Sequence, residues 1–204
     1  MNRIVITILL LTLAGGCAVQ EVPTHFYALS STLPPQPADR PRLAVKVGVG
    51  PLDFPRALQR PQVVTRENDN KIDVADFHQW GGRLDDDFLR ILADNLVVLL
   101  GSSQIYTYPW ESRLRPDYQV RISVSRFDGE LGGEVVLRAR WQLMSRRQRR
   151  ELTARQSLIV EPVDGRGYAA YVAAQSRALA ALSREIAAQI HHFARQETAG
   201  DGHH

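Results

Sequence analysis

Three alternating runs, followed by one long amphipathic stretch, constrain this chain more than any other feature. Tyr118, Val120, Ile122 and Val124 recur at every second position, and Val135, Leu137, Ala139, Trp141 and Leu143 repeat the pattern. Leu152, Ala154, Leu158 and Val160 give a third run, interrupted by Gln156. A period of two puts one set of side chains on one face of a strand. Gly129, Gly132 and Gly133 make the first turn, and the basic run Arg146-Arg147-Gln148-Arg149-Arg150 makes the second. The pattern predicts an antiparallel meander with these apolar residues on its buried face and the other face wet.

Two helices are predicted to cover that face. Tyr168, Tyr171, Val172, Gln175, Leu179, Leu182, Ile186, Ile190 and Phe193 mark one helical stripe, and the alanines between them favour the helix. Earlier, Trp80, Leu84, Phe88, Ile91, Leu92, Asn95, Leu96 and Leu99 mark another. Asp85, Asp86 and Asp87 suit the positive end of its dipole, and Gly101 suits its end. Further strands are read at 25–29, 43–50 and 104–108, and a hairpin over 62–67 and 72–77 turns at Asn68-Asp69-Asn70. Pro34, Pro35, Pro37 and Pro41 make the intervening stretch a loop, and residues 51–55 are read as leaving the second strand. The expected fold class is α+β: a single domain, residues 25–196, with a mostly antiparallel sheet and two amphipathic helices packed on one face. Residues 197–204 are expected to be a flexible tail.

The amino terminus reads as an address rather than as fold. Arg3 precedes an apolar stretch from Ile4 to Ala14, then Gly15 and Gly16 lead to Cys17, the single cysteine. That three-part form matches a secretory signal over residues 1–16, and it is too short for a membrane span of about 20 residues. A lone cysteine is often a small buried hydrophobe, but an unpaired one in an exported chain calls for another explanation. Leu13-Ala14-Gly15-Gly16-Cys17 resembles a bacterial lipobox, with Leu13 one position earlier than usual. The resemblance implies cleavage before Cys17 and acylation of its sulfur, with residues 17–24 as a lipidated tether. Two or more acyl chains anchor stably. By the enterobacterial sorting rule, Ala18 implies the outer membrane, facing the periplasm.

Nothing in the sequence marks an enzyme. The net charge of +3 makes no electrostatic demand for nucleic acid. The six histidines, His25, His78, His191, His192, His203 and His204, show no metal-ligand spacing with a carboxylate. Successive helical residues are about 100° apart, so Asp85, Asp86 and Asp87 do not converge on an ion. There is no nucleophile elbow, P-loop or dinucleotide fingerprint. We expect no catalytic residue, no metal site and no cofactor. Arg146 to Arg150 is read as a solvated turn, with contact to anionic lipid or an acidic partner as the alternative.

Several features align with one family. Phe26-Tyr27-Ala28-Leu29, Val47-Gly48-Val49-Gly50-Pro51-Leu52, Leu58, Arg60-Pro61-Gln62-Val63-Val64, Arg66, Trp80, Leu84, Leu92, Asn95-Leu96 and Leu99 together resemble the PqiC/YmbA lipoproteins. These are ABC-type transport auxiliary lipoproteins of the paraquat-inducible (Pqi) membrane-integrity systems. Gly81-Gly82 departs from the family's Ala-Glu. The resemblance implies a non-enzymatic adaptor for an MCE-type (PqiB-like) periplasmic tube protein that carries lipid, anchored in the membrane by its lipid, with a homo-oligomeric ring as one arrangement. Leu52, Phe54, Pro55, Leu58, Arg60 and Pro61 form an apolar, proline-bearing segment that becomes a partner surface if it stays exposed. A lipid carrier with an apolar cavity, and a periplasmic hydrolase, are the competing readings.

Overall fold

The computed structural model describes residues 22–35, 43–111 and 113–201; the leader, Cys17 and residues 202–204 lie outside the described residues. The elements in chain order are β1 (His25–Tyr27), β2 (Val47–Asp53), a 3-10 turn (Arg56–Leu58), β3 (Gln62–Asn68), β4 (Lys71–Trp80), α1 (Leu84–Leu100), β5 (Ile105–Thr107), β6 (Tyr118–Gly129), β7 (Glu134–Ser145), β8 (Arg150–Pro162) and α2 (Tyr168–Asp201). The α+β class holds, with two helices on one face of the larger sheet.

The strands divide into two sheets, ordered β1-β4-β3 and β5-β2-β6-β7-β8. The β6-β7-β8 meander is antiparallel throughout. Three shorter pairings are parallel: β1 with β4, and β2 with both β5 and β6. Parallel partners need a crossover, and between β2 and β5 it runs through β3, β4 and α1. Helix α1 ends where Gly101 takes a left-handed φ of 63°.

The core lies between the five-stranded sheet and the helices. Val120, Leu137, Trp141 and Leu143 from the sheet meet Leu92, Leu96, Leu179 and Leu182 from the helices, all buried. Phe88 sits edge-on to Phe127 and Phe54, with ring centroids 5.3 and 5.6 Å away. Polar groups in this layer are matched. Asn95 accepts from Ser31 Oγ at 2.7 Å and donates to Ser183 Oγ at 3.0 Å, which ties α1 to α2 and to the loop after β1.

Four expectations are corrected. Trp80 is the last residue of β4 rather than the first of the helical stripe, although it is buried as a core residue. β2 continues through Pro51 to Asp53, because residues 52 and 53 pair with Ile122 and Ser123 after a register shift. α2 runs to Asp201, beyond the expected start of the tail, and Glu197 accepts hydrogen bonds from Tyr118 Oη at 2.8 Å and Gln148 Nε2 at 2.9 Å. The largest correction is the facing of β8. Ser157 and Ile159 lie opposite Ala139 and Leu137 and point at α2, whereas Leu158 and Val160 point outward, 60% and 47% exposed. A one-residue change of register exchanges the faces of a strand. The buried Trp141 indole selects this one, since Nε1 donates to Ser157 Oγ at 2.9 Å and Ser157 donates on to Glu185 of α2.

Candidate docking groove

The apolar segment after β2 splits between core and surface. Phe54 and Leu58 are buried, Leu52 and Pro55 are half-buried, and Arg60 and Pro61 are exposed. The 3-10 turn causes the split. Leu58 N donates to Pro55 O at 3.0 Å, which folds the chain back and drives Phe54 and Leu58 inward together. Gln59 Nε2 then donates to Phe54 O at 3.2 Å and fixes where the chain emerges. Of the six candidate partner residues, only Arg60 and Pro61 stand fully at the surface; Phe54 and Leu58 serve packing.

Arg60 and Pro61 form one wall of a groove. Gln59 completes that wall, residues 80–85 make the other, and the enclosed volume is about 330 Å³. A backbone hydrogen bond from Trp80 N to Pro61 O joins the two walls, and one from Gly81 N to Tyr27 O ties the second wall to β1, both 2.7 Å. Trp80 and Leu84 give the groove an apolar lining. Gly81 and Gly82 leave its floor bare. A Cβ on Gly82 would meet nothing within 4 Å, and one on Gly81 only Tyr27 O at 3.6 Å. Neither glycine has a left-handed φ, so the backbone does not require them; their effect is to leave room.

The groove rim carries charge of both signs. Arg83 pairs with Asp85 and, at 3.3 Å, with Asp86, while Asp87 accepts from Arg90 at 2.8 Å. The acidic run thus serves the first turn of α1 and its own arginines. Arg60 has no ion-pair partner among the described residues.

The histidines do other work. His78 stacks on Tyr168 at 3.9 Å and on His25 at 5.3 Å, and shares a hydrogen bond of 2.8 Å with Tyr27 Oη. Partial burial and the neighbouring His25 push the His78 pKa below its ordinary value. This stack fastens β1 to β4 and to the start of α2. His191 Nε2 lies 3.2 Å from Leu99 O, joining the helices. Among the described residues, no three His, Cys, Asp or Glu side chains group around a point where an ion could sit. These stacking and joining roles were not legible from sequence, because the partners lie far apart in the chain.

Residues 27–187 match the family model of the ABC-type transport auxiliary lipoprotein component. The chain belongs to that family. In this transport auxiliary lipoprotein the matched region runs from the end of β1 into α2 and includes both walls of the groove. A solved structure described as an uncharacterized protein is similar, with TM-score 0.67 and 22% identity, covering 83% of this chain and 99% of that one. A Xanthomonas campestris protein of the DUF330 family model is also similar, with TM-score 0.66, 20% identity, and coverage of 85% and 99%. At these identities the two structures support the fold of the auxiliary lipoprotein. No curated protein matches the sequence significantly. No helix among its described residues is long and apolar enough to cross a membrane.

Proposed function

We propose that this lipoprotein is a non-enzymatic docking subunit of a Pqi/MCE-type lipid-transport complex. In this reading acyl chains on Cys17 hold it at the periplasmic face of the outer membrane. A PqiB-like tube protein is the partner, and copies of the chain assemble as a ring around its end. The observation that carries the reading is the family match over residues 27–187, whose members are auxiliary components of transport systems. The groove between Arg60-Pro61 and Trp80-Leu84 supports it locally. A space of about 330 Å³ with an apolar lining and a charged rim suits one or two apolar side chains of a protein partner.

A photo-crosslinking residue placed at Arg60 or Gly82, in cells, tests the docking role. Expected is a crosslink to an MCE protein, lost when Gly82→Leu fills the groove. Absence of any MCE adduct from either position, with the protein correctly fractionated, sinks this reading. The anchor is tested separately by Cys17→Ser, which should abolish acylation and cleavage before residue 17.

A further inference from the structure

The outer face of the five-stranded sheet, opposite the helices, carries a concentration of arginine. Arg126 and Arg138 lie directly opposite each other on β6 and β7, and Arg140 is the next outward position along β7. Arg121 lies opposite Gln142, one outward position beyond Arg140. Arg126 is neutralised locally, donating to Asp128 Oδ1 at 2.9 Å. Arg121, Arg138 and Arg140 are exposed and have no ion-pair partner among the described residues. Asp128 serves Arg126, and Asp53 and Glu151 bond Ser123 and Gln142 on the same face, but none of these acids pairs with Arg121, Arg138 or Arg140, which leaves those three guanidinium groups available to an external anion.

The same face carries exposed apolar side chains. Leu158 lies opposite Arg138, and Val160 lies opposite Val136, on the edge strand β8. Both are the residues whose alternation pointed to the core and whose side chains the Trp141–Ser157 bond turns outward. Arginines beside exposed aliphatic groups, on one side of a sheet, match a bilayer surface: guanidinium groups reach phosphodiesters while the aliphatic groups enter the region below.

We propose that this face, centred on Arg138 and Arg140 with Leu158 and Val160, binds anionic phospholipid headgroups at a membrane surface. The site is separate from the docking groove, which is formed by β4, α1 and the segment before β3. It does not depend on the identity of the transport partner.

The test uses unacylated chain from Ala18 to His204, which contains every residue of the core from Leu29 to Ala194, checked for folding by circular dichroism. Flotation with phosphatidylcholine vesicles, with and without phosphatidylglycerol, gives the readout. Expected is binding that requires phosphatidylglycerol and fades with salt. Each arginine near an anionic surface contributes about fivefold. Arg138→Gln with Arg140→Gln should therefore reduce partitioning about 25-fold. Leu158→Ser with Val160→Ser should weaken binding as well. Arg146→Gln with Arg149→Gln, in the β7–β8 turn, should leave it unchanged. Equal binding to both vesicle types, or none to phosphatidylglycerol, overturns the proposal. So does an arginine-dependent capture of soluble polyglutamate with vesicle binding indifferent to Leu158 and Val160, since that pattern marks an acidic protein ligand.

Discussion

Arg66 grips Asp128 with two prongs across the seam between the two sheets, Nε to Oδ1 at 2.9 Å and Nη2 to Oδ2 at 2.8 Å. The Asp128 carboxylate is nearly buried and also accepts from Arg126, so three groups meet where β3 approaches β6. Beside them Tyr171 Oη donates to Val64 O at 3.0 Å and accepts from Gly129 N at 3.1 Å. A strand of each sheet and α2 are therefore joined at one spot.

Arg66→Gln leaves that carboxylate half-served. Loss of a charged hydrogen-bonded partner at a mostly buried site costs about 2 kcal/mol. Urea unfolding should show the midpoint falling at constant m value. Burial alone would raise the Asp128 pKa, but the hydrogen bonds from Arg66 and Arg126 outweigh it and hold the carboxyl below its ordinary 3.8. The folded state then binds the proton less readily than the unfolded one. The contribution is complete above pH 3.8 and disappears as pH falls through the folded value. Arg66→Gln should flatten that acid limb; an unchanged limb contradicts the assignment.

His78 acts in the opposite charge sense. Its folded pKa is lowered from 6.5, so the unfolded chain takes up the proton first. Stability is whole above pH 6.5 and declines as pH drops from there toward the folded value. Thermal melts at pH 7.5 and pH 5.5 should differ in midpoint, the lower pH melting earlier. His78→Phe keeps a ring against Tyr168 and should shrink the difference between the two melts.

Two glycines should respond in opposite ways. A Cβ on Gly129 would lie 1.9 Å from Glu134 O and 2.7 Å from Val135 Cα, so Gly129→Ala must open the β6–β7 hairpin. A loss of about 3 kcal/mol is expected, at the upper end for overpacking. Gly82→Ala meets open space and should alter stability by less than about 0.5 kcal/mol. Equal effects in calorimetry would mean that the hairpin has a different geometry.

Asn95 links Ser31 and Ser183 inside the helix layer. Asn95→Ala removes both bonds and leaves a small void, which should cost about 2 kcal/mol. Ser183→Ala should cost less, because it removes a smaller side chain and keeps the bond from Ser31 to Asn95. Chemical denaturation of the two variants should rank them in that order.

Sequence periodicity located both helices and the meander, because each buries one face and repeats at the period of its backbone. It placed β8 correctly and Leu152 packs against the core, but Leu158 and Val160 face the other way. The apolar alternation there pointed to Leu158 and Val160, the opposite set being polar except for Ile159, and the observed facing was set by a hydrogen bond from Trp141 to Ser157, sixteen residues away. The parallel pairings of β1 and β2 had no local signature, since their partners are supplied by distant chain. The candidate segment after β2 was legible as proline-bearing and apolar. Its division into buried Phe54 and Leu58 and exposed Arg60 and Pro61 depended on one 3-10 turn. The bare floor at Gly81-Gly82 was visible only as a departure from a pattern, and its meaning came from the space above it.

β1 is three residues long and carries the chain from the amino-terminal region into the domain. It is held by its parallel pairing to β4, by the ring stack around His78, and by Ser30 and Ser31 bonded to Ser176 and Asn95. Tension applied through the residues before Val22 therefore enters the molecule at this short strand and is passed directly to both helices. If the proposed anchor holds the chain at its amino end, a pull there meets the helix layer through three residues of strand.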